Sequence, residues 1–547
     1  MKNKNYPFYV TEPVRNLKEL INFAAEKYGD LPAFTYERKK ERFSVSYRQF
    51  KSDIEALGVG LFYECSGRCT VAVIGENSYE WILTYFSVVN SGNVILPLDK
   101  DLSVAEIKNL LNDSGAEMLV FSDDYSDVVN RLCEDAVNIR RYINMNQMQE
   151  LVNVGVDIMR DSDRSVVDRE IVDGSLAVLL YTSGTTGTPK GVMLSHYNLA
   201  NNVVAACRNV GIFGSNMLVL PLHHSFGFAA GVCAMILKGS EIGINSSFKS
   251  MLSDLLKFKP SNMFLVPLFV ETFYKKIWAD AKKQGKDKLL KRMIGISNGL
   301  LKIGIDVRRL FFKSVIKAFG GNLKLIVSGG APLDPRYVDG FRELGINVLN
   351  GYGITECSPI VSVNRNRYYR DGSVGQVHSC CEVKIAEPDE NGHGEICVKG
   401  GNVMIGYYKN EQATKEVFDG EWFKTGDVGY LDQDGFLFIS GRKKNLIILS
   451  NGKNIYPEEL EFAVLNYIPC VKEVVVYTES DIIVAEMFLD DENYPDCALT
   501  INSDISKLNR TFPLYKSIGK IVIRDTEFPK TTAKKIKRRY GSSGSTV

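Results

Sequence analysis

The chain has 547 residues, is 45% apolar and 24% charged, and sets 66 Lys and Arg against 65 Asp and Glu for a formal net charge of +1. This length calls for more than one domain, and the composition is that of a globular protein. The balanced charge excludes a nucleic-acid partner drawn in by bulk charge.

MKNKNYPFYVTEPVRN, at the start, lacks an apolar core long enough for a secretion signal. No run of 18 apolar residues follows, so nothing is expected to span a bilayer. CTVAVIG (69–75) reads as a buried strand. In the segment after it Trp81, Tyr85 and Val89 recur at helical spacing, and a Ser-Gly pair ends the run. NVILPL, EMLVFS, LAVLLY, KLIVSGG and INVLNGYG continue a series of strands separated by helical patterns. Such alternation predicts α/β layers with mostly parallel sheets. FGFAAGVCAMIL (226–237) is too short to span a membrane and reads as a buried helix.

The pattern changes near Gly441, where strands and turns lead into an acidic helix start and then VKEVVVYTESDIIVAEMFLD, which alternates like a small mixed sheet. We therefore expect a large N-terminal multi-layer α/β domain over 1–441, a small mobile C-terminal α+β domain over 442–540, and a flexible tail, GSSGSTV, over 541–547. Eleven cysteines, without a CxxC pair, suggest reduced thiols and a cytoplasmic location.

YTSGTTGTPKGVMLSH (181–196) joins the strand LAVLLY to a helix that begins near Ser195. Its glycines let backbone N–H groups approach anionic oxygens, its hydroxyls donate, and Lys190 adds a cation, so the loop suits phosphate. The order of a Walker loop is absent. The two adjacent histidines, 223 and 224, do not have a zinc spacing, and neither a Ser-His-Asp nor a Cys-His signature is recognisable.

TSGTTGTPKG resembles the signature loop of the adenylate-forming (ANL) superfamily, which includes acyl-CoA synthetases, adenylation domains of peptide synthetases and luciferases. Other segments follow in that family's order: PLHHSFGF (221–228), SGGAPL (328–333), NGYGITE (350–356), GEICVKGGNVMIGYY (394–408), KTGD (424–427), GRKKNLIILSNGKNIYPEELE (441–461) and PKTTAKKIKR (529–538). The resemblance spans nearly the whole chain and is nearest to the long-chain-type fatty acyl-CoA synthetases.

The resemblance implies ATP, Mg²⁺ and coenzyme A as ligands. It places phosphate at Thr182, Ser183, Gly184, Thr185, Thr186, Gly187 and Lys190, adenine on Tyr352 beside Gly353, phosphate on Thr355 and Mg²⁺ on Glu356. Asp427 and Arg442 would approach the ribose. His224 would lie near the acyl carboxylate, with Gly330, Ala331, Asn350 and Gly351 around the acyl pocket. Lys535 is the implied catalytic cation, although Lys534 stands where the family has glycine. Lys444 matches the hinge, and Gly452 the close approach of pantetheine.

Two features bear on the acid. SFGFAAGVCAMILKG holds no acidic residue to pair with an amino group, which favours an apolar acid. A long insertion (266–321) resembles that of the long-chain enzymes. Within it, 272–318 alternates apolar residues with Lys and Arg and would suit peripheral contact with an anionic membrane. The expected activity is that of an AMP-forming acid–thiol ligase converting a medium- or long-chain fatty acid to acyl-AMP and then acyl-CoA. Two alternatives stay open: a module loading an acyl or aryl group onto the phosphopantetheine of an acyl carrier protein, and an inactive nucleotide-binding homologue.

Overall fold

The computed structural model describes residues 5–63, 67–134, 138–161, 164–182, 189–245, 247, 249–450, 453–530, 536 and 538. Ser183, Gly184, Thr185, Thr186, Gly187, Gly452 and Lys535, all named above, lie outside them, as does the tail 541–547. The chain forms two compact units, one of Met1–Val383 with Val398–Phe423, the other of Lys384–Cys397 with Lys424–Val547.

In the first unit, Val71, Ala72 and Val73 are fully buried because helices cover both faces of a parallel sheet, which explains an uninterrupted apolar run where an exposed strand would alternate. This strand, Thr70–Ile74, sits in a sheet running Gly406–Tyr407, Lys190–Ser195, Leu176–Thr182, Val94–Pro97, Thr70–Ile74, Met118–Phe121, Arg141–Asn144 among the described residues. Five of those strands are parallel; Lys190–Ser195 and Gly406–Tyr407 are added antiparallel at one edge. Side-chain caps set the helix starts between them: Ser78 accepts from the Trp81 amide ahead of Tyr79–Asn90, and Ser103 with Glu106 closes a capping box ahead of Val104–Ser114.

A second sheet of this unit carries Asn216–Leu218, Asn262–Leu265, Leu325–Ser328 and Asn347–Gly353 side by side and parallel. Their crossover helices bury Leu255, Val270, Phe273 and Phe341 against Met263, Leu265 and Ile326. The 226–237 segment is helical and buried as expected, but it contains a π-turn over Ala229–Cys233.

The signature segment departs from a strand–loop–helix reading. Lys190–Ser195 is itself a strand, antiparallel to Leu176–Thr182, and the helix His196–Asn209 begins only after Ser195 caps it through the Asn198 amide. Val192 and Leu194 are fully buried, so KGVMLS follows the two-residue period of a strand rather than loop geometry.

In the second unit, the hairpin Val471–Glu479 and Ile482–Leu489 is joined in parallel by Ile518–Arg524. Helices Pro457–Tyr467 and Cys497–Asn509 pack on it through Leu460, Val464, Ile501 and Ile505. The expectation of reduced thiols fails at one pair: Cys470 and Cys497 form a disulfide with Cα atoms 5.9 Å apart. They meet because the turn before Val471 packs against the first turn of Cys497–Asn509, a juxtaposition that 27 residues of separation concealed. Eight other described cysteines are free.

Candidate active site

The site residues of the first unit gather at the carboxyl ends of parallel strands, where backbone ends and loops leave room for a ligand in open α/β sheets. Ser328, at the end of its strand, is the register partner of Asn350; the chain after Ser328 turns into Gly329–Ala331, while Asn350 continues as strand through Gly351–Gly353. Gly330 and Ala331 are exposed and Gly330 has φ +86, a backbone state that glycine adopts readily. A Cβ placed on Gly329 would lie 3.5 Å from the Phe226 ring and 3.6 Å from the Gly351 carbonyl oxygen. The PLHHSFGF, SGGAPL and NGYGITE segments therefore share one small space. Tyr352, half-buried, pairs in register with Ser362.

A polar chain runs across this space. Thr182, the last residue of its strand, is the register partner of Lys190. The Lys190 ammonium lies over the Tyr407 ring, 4.9 Å from its centroid. The Tyr407 hydroxyl donates to Glu356 Oε1 at 3.0 Å. Burial first, and the Glu356 charge second, hold the Tyr407 hydroxyl well above its usual range, so it stays protonated and remains a donor. The Met404 amide donates to the Glu356 carbonyl at 2.8 Å and the Tyr408 amide to the Gly191 carbonyl at 2.7 Å, which fixes the Tyr407 strand against both neighbours. Thr355 Oγ1 stands 3.4 Å from Ser225 Oγ and links the chain to the histidine segment. Tyr407 lay inside a quoted motif but its type gave no reason to single it out; its place between a lysine and a glutamate is a three-dimensional property.

The histidines divide unexpectedly. His224 is exposed at the start of the helical turn Ser225–Phe228, whereas the side chain of His223 is only 8% exposed. Their rings are 4.3 Å apart. Burial first, then His224, pushes His223 down to about 3, so its ring is neutral near pH 7. Its Nε2 is 3.3 Å from Asp99 Oδ1 without hydrogen-bond geometry. Behind His223 and Ser225 lies a small apolar pocket walled by Leu180, Leu199, Leu222 and Phe228.

A carboxylate at Glu356 flanked by a lysine suits a hard cation shared with phosphate oxygens. Among the described residues no group of three or more His, Cys, Asp or Glu could hold a metal ion by itself.

In the second unit Asp427 and Arg442 face each other across antiparallel strands, with Nε 2.7 Å from Oδ1. Asp427 is buried, and its amide donates to Thr425 Oγ1 at 3.0 Å. Lys444 is exposed in the turn Lys443–Asn445.

These layers, with polar residues gathered at the ends of parallel strands, are those of an α/β enzyme. Residues 21–408 match the AMP-binding enzyme family, and the chain belongs to it. Over 518 residues it is 29% identical to the long-chain-fatty-acid–CoA ligase FadD15 of Mycobacterium bovis, covering 86% of this chain and 85% of that one. It is 27% identical over 565 residues to the long-chain-fatty-acid–CoA ligase of Salmonella typhimurium, covering 96% and 94%. Its fold is similar to that of the o-succinylbenzoate CoA synthetase of Bacillus subtilis solved with an acyl-adenylate intermediate, with TM-score 0.73, 24% identity, and 96% and 97% of the two chains covered.

Proposed function

We propose that this protein converts a medium- or long-chain fatty acid to its CoA thioester in two steps driven by ATP. The observation that supports this reading best is the run Lys190–Tyr407–Glu356–Thr355–Ser225 beside Phe226, Gly329 and Gly351. The ligase names of the two relatives and the apolar cavity behind Ser225 favour a fatty acid.

In the first step an acid oxygen attacks the α-phosphorus of ATP, an O–P bond forms, and the bond to pyrophosphate breaks. A carboxylate is already ionised at pH 7, so no general base is required. The barrier is the meeting of two anions, and positioned positive charge lowers it. Lys190, with the 182–187 loop, would hold phosphate oxygens. Thr355 would donate to phosphate, and Tyr352 would stack on adenine. Glu356 would hold Mg²⁺, which when bound neutralises phosphate charge. Asp427 and Arg442 would fix the ribose, and Lys535 would bridge the acid and the α-phosphate. His224 would line the acyl carboxylate site with Gly330, Ala331, Asn350 and Gly351.

In the second step a thiol attacks the acyl carbon, a C–S bond forms, AMP leaves, and the thiol proton is released. A domain beginning at Arg442 would swing about Lys444 between the steps and bring Gly452 beside pantetheine. Such a reaction would take place in the cytoplasm, where ATP and CoA would be available.

The test is pyrophosphate release with Mg²⁺ and ATP across acids from acetate to oleate, with aryl and amino acids included. Release that rises with chain length and then needs CoA for turnover is expected. No release with any acid would leave the inactive homologue, and turnover with a purified acyl carrier protein but not CoA would leave the loading module.

A second surface has its own observation. Helix Asp287–Lys302 turns Ile294 inward, against Phe312 and Leu344, but leaves Leu289 and Ile296 about half exposed and, just beyond its end, Ile303 72% exposed, at seven-residue spacing. Residues 272–318 hold 13 Lys and Arg against 3 Asp and Glu, a net +10 in a chain of net +1. We propose that this face rests on anionic lipid. No helix among the described residues is long and apolar enough to cross a membrane. Co-sedimentation with phosphatidylglycerol vesicles, lost on Ile296→Glu with Ile303→Glu and in high salt, is expected; equal sedimentation of the double variant would end this proposal.

A further inference from the structure

The described residues on both sides of Lys535 are tied down by charged groups. Lys530 and Ile536 bridge each other antiparallel, which draws the two ends of that segment together. The Lys530 ammonium pairs with Glu473 and, at 2.6 Å, with Glu527. Glu473 also accepts from the Phe528 amide at 2.7 Å. Ile536 packs against Val475, Tyr477, Val484 and Phe528 on the face of the three-stranded sheet.

Arg538, three residues beyond Lys535, has a side chain only 17% exposed. Its Nη2 donates to Glu461 Oε2 at 2.5 Å and lies 3.4 Å from Glu458 Oε1, so one guanidinium bridges two carboxylates on successive turns of the helix Pro457–Tyr467. Glu461 is fixed in turn by the Val476 amide at 2.7 Å. Glu458 Oε1 accepts from Asn445 Nδ2 at 2.5 Å, and Asn445 is buried beside Lys444. A Cβ on Gly441 would sit 2.6 Å from Glu458 Oε2, so only glycine there lets this carboxylate lie against the strand that leads to the turn. Arg538, Glu458 and Asn445 thus form one continuous contact from the Lys535 segment to the residue after Lys444.

We propose that Arg538 is a positioning residue for acyl-AMP formation: clamped by Glu461 and Glu458, it holds the segment that presents Lys535 and couples it to the turn at Lys444–Asn445. This rests on the reaction proposed above and on Lys535 as its cation. A buried guanidinium between two carboxylates has one low-energy arrangement, because moving it strands charge away from water. Arg538 is therefore fixed to the helix Pro457–Tyr467.

The experiment separates the two half-reactions in the full-length protein. Arg538→Gln is expected to slow acid-dependent pyrophosphate release at least tenfold while thioester formation from supplied acyl-AMP stays within twofold of wild type. Arg538→Lys should restore part of the first rate. In a Lys535→Ala background, Arg538→Gln should add no further loss, because its effect passes through Lys535 alone; a purely structural residue would add its own. Glu461→Gln keeps the side-chain shape and should reproduce a weaker form of the same split, which preserves the test if Arg538→Gln does not fold. Equal slowing of both steps, or full additivity with Lys535→Ala, would overturn the assignment. If wild type itself releases no pyrophosphate, the proposed reaction fails instead, and the two failures are distinct.

Discussion

The charged residues named around the candidate site are held differently in the two units. In the first, Lys190 and Glu356 are held by the face and the hydroxyl of one tyrosine, and among the described residues neither joins an ion pair. In the second, Asp427 with Arg442, Lys443 with Glu395, Lys530 with Glu473 and Glu527, and Arg538 with Glu461 are all closed pairs. A charge without an opposite partner keeps its field for a ligand, whereas a paired and buried charge fixes geometry. The first unit thus has the character of a binding surface, and the second that of a frame that delivers a group.

The largest effect should come from the group the second unit delivers. Lys535→Ala is expected to reduce pyrophosphate release by roughly 100- to 1000-fold, the scale of losing a transition-state charge contact. Thioester formation from supplied acyl-AMP should survive. Gly452→Leu should do the reverse, since a side chain there would obstruct pantetheine. Equal losses of both steps in both variants would erase the contrast between a delivering frame and a binding surface.

A smaller effect is expected within the first unit. Glu356→Gln should slow adenylation roughly 100-fold and raise the Mg²⁺ concentration needed for half-maximal rate. Tyr407→Phe keeps the ring under Lys190 but removes one hydrogen bond to a carboxylate, so a loss of about tenfold is expected. If Tyr407→Phe matched Glu356→Gln, the hydroxyl would have a role of its own beyond orienting the carboxylate.

Much of this was legible before the structure. The parallel layers follow from strands such as Val71–Val73, whose burial on both faces makes the sequence continuously apolar. The segments holding Lys190, Thr355 and Glu356 stood out by type and order. Three things were not legible. KGVMLS is short enough to read as part of a loop until its antiparallel partner is seen. That His223 is buried while His224 is exposed was also hidden, because burial has no local signal in an HH pair. Arg538 ends the segment PKTTAKKIKR with nothing to single it out, because its carboxylate partners lie some 80 residues away, at Glu458 and Glu461.

The smallest effect is on stability, and here the units should respond to pH with opposite signs. In the first unit burial pushes His378 and His223 down to about 3 and His196 to about 4. The unfolded chain takes up these protons near 6.5 and the folded chain does not, so this stability is complete above about pH 6.5 and is lost as pH falls, by roughly 2 kcal/mol per residue at pH 5. In the second unit burial, opposed by Arg538, raises Glu461 to about 7. That contribution is present below its ordinary value near 4.5 and is lost as pH rises toward 7, so acidification restores it. Urea midpoints measured from pH 7.5 to 5 should therefore fall less steeply in His378→Leu, which removes a buried titrating ring with no partner among the described residues. They should fall more steeply in Glu461→Gln, which removes the compensating proton. Parallel curves for wild type and both variants would mean that these groups do not titrate differently in the folded and unfolded chains, and the contrast drawn from their burial would fail with them.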